Sequence, residues 1–419
     1  MRVCSRIVAV TVTTALVGVS GAASAGGFGI VAQSGSAIGN AFAGGAAAAE
    51  DASTIWYNPA GMGLLQGTNA SVAVHAIRPS FKFENTGSTG AFAAPGTGEG
   101  GDGGDWGYVP QGYVSTSVGE KWRLGVAFNT PFGLKTNYDA GWRGQFTALK
   151  SEVTAYNLNP SVAYKVNDSV WVGAGVSVQR FTTELTNFAG PVVGNASLKA
   201  SDTAWGFNLG AMLKASDTMR IGVAYRSRIA YKLSGTASFS SGGGVFDSGA
   251  QADLTVPESA SINVFSSLSK QWDIMGGATW TRWSRLQTLT VVRTSASLLG
   301  PAGSIVTTLP FNWSDTMLIA VGANYTPSDD WKIRFGVAYD PAASNDAART
   351  PRLPDQGRLL LSVGARYKLS KNGAWDFAYA HEFVKDANIN DTVAGVPGAL
   401  MGTFKNKADV LSLQYNHRF

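Results

Sequence analysis

The chain has a single cysteine, Cys4, ahead of a mainly apolar stretch at residues 7–19. A chain processed beyond that stretch can form no disulfide. Cys4 is not at a small-residue cleavage site either, so it is not placed as a lipid-anchor cysteine. No stretch provides the ~20 consecutive apolar residues of a membrane-spanning helix, which excludes a helical membrane protein. Charge is sparse, at 15% of residues. With Arg2 and Arg6 set aside, 31 basic residues face 28 acidic ones, a net +3 that is too even for a nucleic-acid surface. There are three histidines and no Gly-x-Ser-x-Gly, so a Ser, His and acid in mutual reach are hard to assemble. His381 and His417 fall on the strand face of Tyr379 and Tyr415, which leaves His75 as the one candidate base.

Arg2 and Arg6 form a positive n-region, and Ala23-Ser24-Ala25 ends the apolar stretch as a small-residue cleavage site. Residues 1–25 therefore read as a secretory signal peptide and the remainder as exported. What is abundant is glycine (51 residues) together with 12 Trp and 13 Tyr, the usage of an exported all-β protein.

Short polar turns recur at 118–122, 166–171, 215–219, 268–272, 327–331 and 369–375, and five of the six end in Trp. Between them the sequence alternates. Trp331, Ile333, Phe335, Val337 and Tyr339 share one face, and Lys332, Arg334, Gly336, Ala338 and Asp340 the other. A sandwich would alternate too, but Trp122, Trp171, Trp272, Trp331 and Trp375 gather at the short turns, with Tyr225, Tyr339 and Tyr379 further along. Amphipathic rings at both rims of an apolar outer band are what a lipid-facing barrel requires. The ending Leu411-Ser-Leu-Gln-Tyr-Asn-His-Arg-Phe419 resembles the insertion signal of outer-membrane barrels, which implies the barrel assembly machinery as a partner.

Six short turns with both ends on one side imply seven long loops, hence a 14-stranded antiparallel transmembrane β-barrel without edges. The expected strands are 68–84, 108–118, 121–135, 146–165, 169–184, 201–214, 217–235, 257–269, 272–293, 312–326, 331–341, 356–369, 373–385 and 406–419. Domain organisation follows as 1–25 signal peptide, 26–66 a small helical hatch and 67–419 the barrel.

The hatch does not alternate. Residues 34–48 are rich in Ala and Gly and weakly helical, and Asn58-Pro59 is a helix start, an Asn cap with Pro in the first turn. A lumen of fourteen strands is too wide for its own side chains to fill, and a compact Ala/Gly segment suits a plug. Gly27-Phe28, residues 41–44, residues 50–54 and Asn58-Pro59-Ala60, in this order behind a signal peptide, resemble the hatch of the FadL-type long-chain fatty acid transporter family. Asn129-Thr-Pro131-Phe132-Gly133-Leu134 resembles that family's third strand. The resemblance implies a monomeric outer-membrane barrel, uptake of long-chain fatty acids or of aromatic or alkane hydrocarbons, and sideways release where the third strand kinks. No cofactor, metal or catalytic residue is implied, and the partners are hydrophobic small molecules, outer-membrane lipid and lipopolysaccharide.

Pro131 lacks an N–H and Gly133 a side chain, so both favour a bulge independently of the resemblance. Arg226, Arg228, Arg334 and Arg366 read as lumen residues that pair with acids. The family places basic groups at the ends of the fifth and ninth strands. Here the fifth ends without one, and the ninth has Arg282, Arg285 and Arg293; with Arg226 these are the carboxylate candidates. Residues 99–105, with Glu99, Asp102 and Asp105, match no EF-hand spacing and read as an outer loop. A lipase and a general porin are the rival readings. The first lacks a triad, and the second leaves the plug unexplained.

Overall fold

Alternating runs bounded by short polar turns become an all-antiparallel sheet in a computed structural model that describes residues 26–419. The expected signal peptide lies outside these residues. Nineteen strand segments join, across breaks, into fourteen barrel strands. These are β1 (Thr68–Asn85), β2 (Gly107–Val118), β3 (Trp122–Asn137), β4 (Lys150–Lys165), β5 (Val170–Phe188), β6 (Asn195–Lys214) and β7 (Met219–Arg226 with Ile229–Phe239). There follow β8 (Ser248–Val256 with Ser259–Ser267), β9 (Trp272–Thr281 with Thr288–Arg293), β10 (Ile305–Pro310 with Thr316–Tyr325), β11 (Trp331–Asp340), β12 (Arg358–Lys368), β13 (Gly373–Val384 with Ala387–Asp391) and β14 (Leu400–Arg418). The ladder of β1 with β14, Asn69↔Arg418 through Asn85↔Gly402, closes the barrel.

The outward face is apolar, as the alternation required: Val72, Leu124, Val126, Val337, Leu361 and Leu413 are all exposed. At the short-turn rim four of the five expected tryptophans pair with a tyrosine on the adjoining strand. Ring centroids are 4.6 Å apart for Trp122 and Tyr164, 4.7 Å for Trp272 and Tyr325, and 4.8 Å for both Trp331 with Tyr367 and Trp375 with Tyr415. Trp171 corrects the expectation. It points inward, buried against Gly63 with the Arg123 guanidinium 5.0 Å from its ring.

Strands β7 to β10 break at one level, at residues 227–228, 257–258, 282–287 and 311–315. At two of these the facing parity flips. Leu254 and Val256 point inward above the break in β8, Asn263 and Phe265 below it. In β7 the same slip puts Tyr231 and Leu233 inside and leaves Arg228 exposed, contrary to its expected lumen position, because one extra residue reverses every side chain beyond it. The long-loop ends of β6, β8, β10 and β14 also begin six to nine residues earlier than the alternation indicated, at Asn195, Ser248, Ile305 and Leu400.

Ahead of β1, α1 (Gly35–Gly39), α2 (Gly45–Ala48), α3 (Thr54–Tyr57) and a 3-10 turn (Pro59–Leu64) pack on inward wall residues. The segment approaches the bare backbone of wall glycines. A Cβ on Gly173 would lie 2.4 Å from the Ala60 nitrogen, on Gly210 2.0 Å from Asn58 Oδ1, on Gly222 1.9 Å from the Ala46 carbonyl and on Gly336 2.1 Å from the Asn40 carbonyl carbon. Small residues were expected on the segment; the wall supplies them as well. Ion pairs complete the seat. Glu50 accepts from Lys332 (2.8 Å) and Arg334, Arg334 meets Asp376 at 3.0 Å, and Arg366 reaches Asp376 (2.7 Å) and Asp51 (3.3 Å). Arg334 and Arg366 are thus lumen residues paired with acids, as expected.

Candidate functional site: hatch contact, wall opening and apolar chamber

Asn58 is the knot of the N-terminal segment. Its extended backbone cannot continue α3, so its Oδ1 is free to accept from the Ala60 N–H (3.0 Å) and start the 3-10 turn, with Pro59 contributing a fixed φ in the first turn. Its Nδ2 donates to the Ala46 carbonyl (2.8 Å) and to the Ala211 carbonyl of β6 (3.0 Å). One side chain thus caps a turn, ties α2 to it, and bonds both to the wall. Asn58→Ala removes the cap, worth ~1 kcal/mol, and orphans two carbonyls at ~1 kcal/mol or more each. The expected result is faster proteolysis of residues 26–66 at unchanged barrel abundance, with altered hydrophobic uptake. Unaltered proteolysis and transport would reduce the tripeptide to a turn.

The third strand carries the expected irregularity. Asn129 pairs with Asn157 and Phe132 with Ala155, so Thr130 and Pro131 together oppose Tyr156. The consequence lies on the other side of β3. β2 is bonded to β1 from Gly107 to Thr116 but to β3 only from Gly112 to Val118, and Asn129 onward has no ladder with β2. Above, the loop before β2 spans the break: Gly103 donates to the Phe81 carbonyl (2.9 Å) and Asn137 to the Gly103 carbonyl (2.9 Å). The interrupted stretch of ladder is therefore a window in the pairing, framed by β2 residues 107–111, β3 residues 129–136 and that loop. Asp102 pins the loop through Ser80 Oγ (2.8 Å) and the Phe81 N–H (2.8 Å), so residues 99–105 are structural here.

Residues 28–33 back the window from inside. Ile30 donates to the Pro131 carbonyl (2.8 Å), Gly133 to the Phe28 carbonyl (2.9 Å), Asn129 Nδ2 to Gln33 Oε1 (2.6 Å) and Gln111 Nε2 to the Ala32 carbonyl (2.7 Å). Phe28 is the hub of an aromatic cluster, 5.7 Å from Phe132, 5.2 Å from Trp283 and 5.7 Å from Trp313. Gly27 has a φ of +69°, and a Cβ there would lie 2.7 Å from Trp313, so only glycine delivers the chain to this point. Two cavities meet at this cluster. The larger, about 1130 Å³, touches Phe132, Pro131 and Trp56; the other, about 1000 Å³, is walled by Phe28, Leu134, Val153, Phe181, Leu233 and Leu254 and by further apolar side chains.

The four candidate arginines do not line the apolar chamber. Arg282 and Arg285 both pair with Glu258, at 3.2 and 2.7 Å. Arg293 donates to the Ser304 hydroxyl and the Ile305 carbonyl. Arg226 stacks on Trp56, 3.5 Å from its ring, and borders the other cavity. The chamber instead holds Arg349 and Arg352, from the loop after β11. Arg349 is paired with Asp346. Arg352 makes only long bonds, to Ser151 Oγ (3.3 Å), the Thr186 carbonyl (3.4 Å) and Asn187 Oδ1 (3.5 Å), and its enclosed Nε has no partner among the described residues. Burial pushes its guanidinium down to about 10, with Asp391 opposing the shift. In sequence, Arg352 sits in an irregular Thr-Pro-Arg-Leu-Pro stretch, where periodicity carries no signal.

His75 lies inside, as expected, with Nδ1 2.7 Å from Ser412 Oγ. No acid orients it, since its Nε2 has no partner among the described residues. It borders neither of the two cavities.

A family model described as outer membrane protein transport protein (OMPP1/FadL/TodX) matches residues 16–419. Outer membrane protein P1 of Haemophilus influenzae is 28% identical over 459 residues, covering 97% of this chain and 98% of that protein. The long-chain fatty acid transport protein of Escherichia coli K12 is 23% identical over 444 residues, 94% of each chain. A solved FadL homologue from Pseudomonas aeruginosa matches with a TM-score of 0.85 at 26% identity, over 94% of this chain and all of that one. Model match, closed barrel and outward apolar band agree: the chain belongs to the OMPP1/FadL/TodX family of outer-membrane transport channels.

Proposed function

We propose that this protein is a passive uptake channel for hydrophobic compounds, chiefly long-chain fatty acids, which it holds in the apolar chamber and releases sideways through the window between β2 and β3. The observation that carries the reading is the missing ladder beside residues 107–111, separated from the chamber by the Phe28 and Phe132 rings. A ligand leaving into lipid keeps the ~0.8 kcal/mol per CH₂ that water would take back. Residues 26–66 meanwhile plug the lumen toward the side of the short turns, which in such barrels is periplasmic.

Arg352 favours a carboxylate headgroup over a neutral hydrocarbon. A guanidinium with weak bonds at the edge of an apolar chamber gains ~1.5–3 kcal/mol from a charged acceptor, and the E. coli relative named for long-chain fatty acids fits that chemistry. Uptake of aromatic or alkane hydrocarbons is the second reading, favoured by the otherwise apolar lining. Arg352→Leu separates them. For fatty acids, binding to the purified barrel falls about tenfold or more while binding of an alkane of equal length is kept. Equal loss of both ligands, or of neither, would count against the carboxylate reading.

A further inference from the structure

The structure assigns a role to the first residue of the processed chain: we propose that cleavage after Ala25 creates an α-ammonium on Gly26 that binds the Asp340 carboxylate and anchors the N-terminal segment by charge. The inference goes beyond transport and does not depend on which ligand is carried.

Gly26 N lies 2.6 Å from Asp340 Oδ2, and the next amide, Gly27 N, lies 3.2 Å from Asp355 Oδ2. Asp340, Asp355 and Glu382 are all enclosed, and all three converge on one guanidinium, that of Arg358. Arg349 approaches, but its head is turned to Asp346 and to the Asp355 and Asn388 carbonyls. Three carboxylates facing one cation leave buried negative charge uncompensated, which is unfavourable unless a further cation arrives. A peptide N–H at position 26 would bring one donor and no charge. A terminal ammonium at the same atom brings three donors and the missing charge.

Shape agrees with charge. A Cβ on Gly26 would lie 3.2 Å from the Pro341 carbonyl oxygen and from Thr316 Cγ2, so the cradle admits bare backbone, which Gly26-Gly27 provides. Gly26 and Asp340 also border the 1130 Å³ cavity, which gives the extra donors room. The sequence independently sets the cut here, since Ala23-Ser24-Ala25 precedes Gly26. The anchor would fix one end of residues 26–33, the stretch that backs the window.

The test is amine acylation. Protein purified from outer membranes is treated with acetic anhydride at pH 8, and the N-terminal peptide is followed by mass spectrometry in folded and heat-unfolded samples. An opposite charge at this distance raises an amine's pKa by about one unit or more, so at pH 8 the reactive unprotonated fraction falls about fivefold or more and the folded α-amine should react at least that much more slowly. Asp340→Asn, which keeps the shape and removes the charge, should bring the rate to within about twofold of the unfolded sample, and Asp340→Glu should restore protection. Asp355→Asn serves if Asp340→Asn does not assemble. A mature terminus other than Gly26, equal rates in folded and unfolded wild type, or full protection in the assembled Asn variant would each overturn the proposal.

Discussion

A barrel lacking Pro131 should assemble and bind ligand yet fail to deliver it. Deleting Pro131 leaves Thr130 opposite Tyr156, so β3 and β4 regain one-to-one pairing between Asn129↔Asn157 and Phe132↔Ala155. The upper half of β3 then returns to the plane of the wall, beside β2 residues 107–111, which are laddered to β1 but not to β3. Each ladder bond formed there contributes ~1 kcal/mol net. Two of them raise the cost of opening by roughly 2 kcal/mol, about thirtyfold in rate. The deletion also removes the Pro131 carbonyl that Ile30 bonds, so the inner backing of the window loosens as the wall closes. Initial uptake of a labelled long-chain fatty acid should fall at least about tenfold at equal surface abundance, with equilibrium binding to the purified protein within about twofold of wild type. Uptake equal to wild type would rule out release at this site and move the search to the hatch.

Replacing Glu50 by Gln should unseat the hatch without opening the barrel. Glu50, Asp51 and Asp376 balance Lys332, Arg334 and Arg366, and Arg334 and Asp376 are enclosed. Removing one member of a buried ion network costs ~3–5 kcal/mol because the remaining cations lose their partner. The barrel ladder, closed by β1 and β14, does not depend on that contact. Protease digestion of residues 26–66 should accelerate by about a hundredfold or more if the whole cost falls on the seat, and small hydrophilic solutes should leak. Adding Lys332→Gln rebalances the charges and should recover part of the seat; a double variant as leaky as the single one would show that charge balance is not the cause. Acidity gives a second check. Burial alone would push the Glu50 carboxyl up, but Lys332, Arg334 and Arg366 more than reverse this and hold it well below the usual carboxylate range. Its contribution is therefore fully present above the unfolded value of ~4.3 and is lost only as pH falls through the lower folded value. The difference in protection between wild type and Glu50→Gln should therefore stay flat from pH 8 to 5, which are on the safe side of both values.

Fourteen strands were legible because alternation, short turns and rim tryptophans recur along the chain, each reporting the same lipid-facing geometry. Asn58-Pro59 was legible because a cap is local chemistry. The Pro131 bulge was legible as a weakness in β3, but not as a window, since its other edge depends on where β2 stops pairing. Trp171 and Arg228 escaped the pattern for different reasons. At Trp171 a glycine-sized contact with Gly63 and a nearby guanidinium outweigh the rim, whereas at Arg228 a slipped register reverses the face. Candidate arginines on β9 were drawn from strand position, yet Glu258, distant in sequence, claims two of them. Arg352 could not be found by periodicity because loops have none.

The shared level of breaks across β7 to β10 has one more consequence. Above it the inward side chains, such as Leu233 and Leu254, enclose the apolar chamber; below it Gly222 and Phe265 meet the N-terminal segment. Because parity is reset between the two levels in β7 and β8, an insertion or exchange in the upper tier need not be transmitted as a register error to the lower one. Selection can then retune what the vessel carries, residue by residue, while its floor keeps the same joinery.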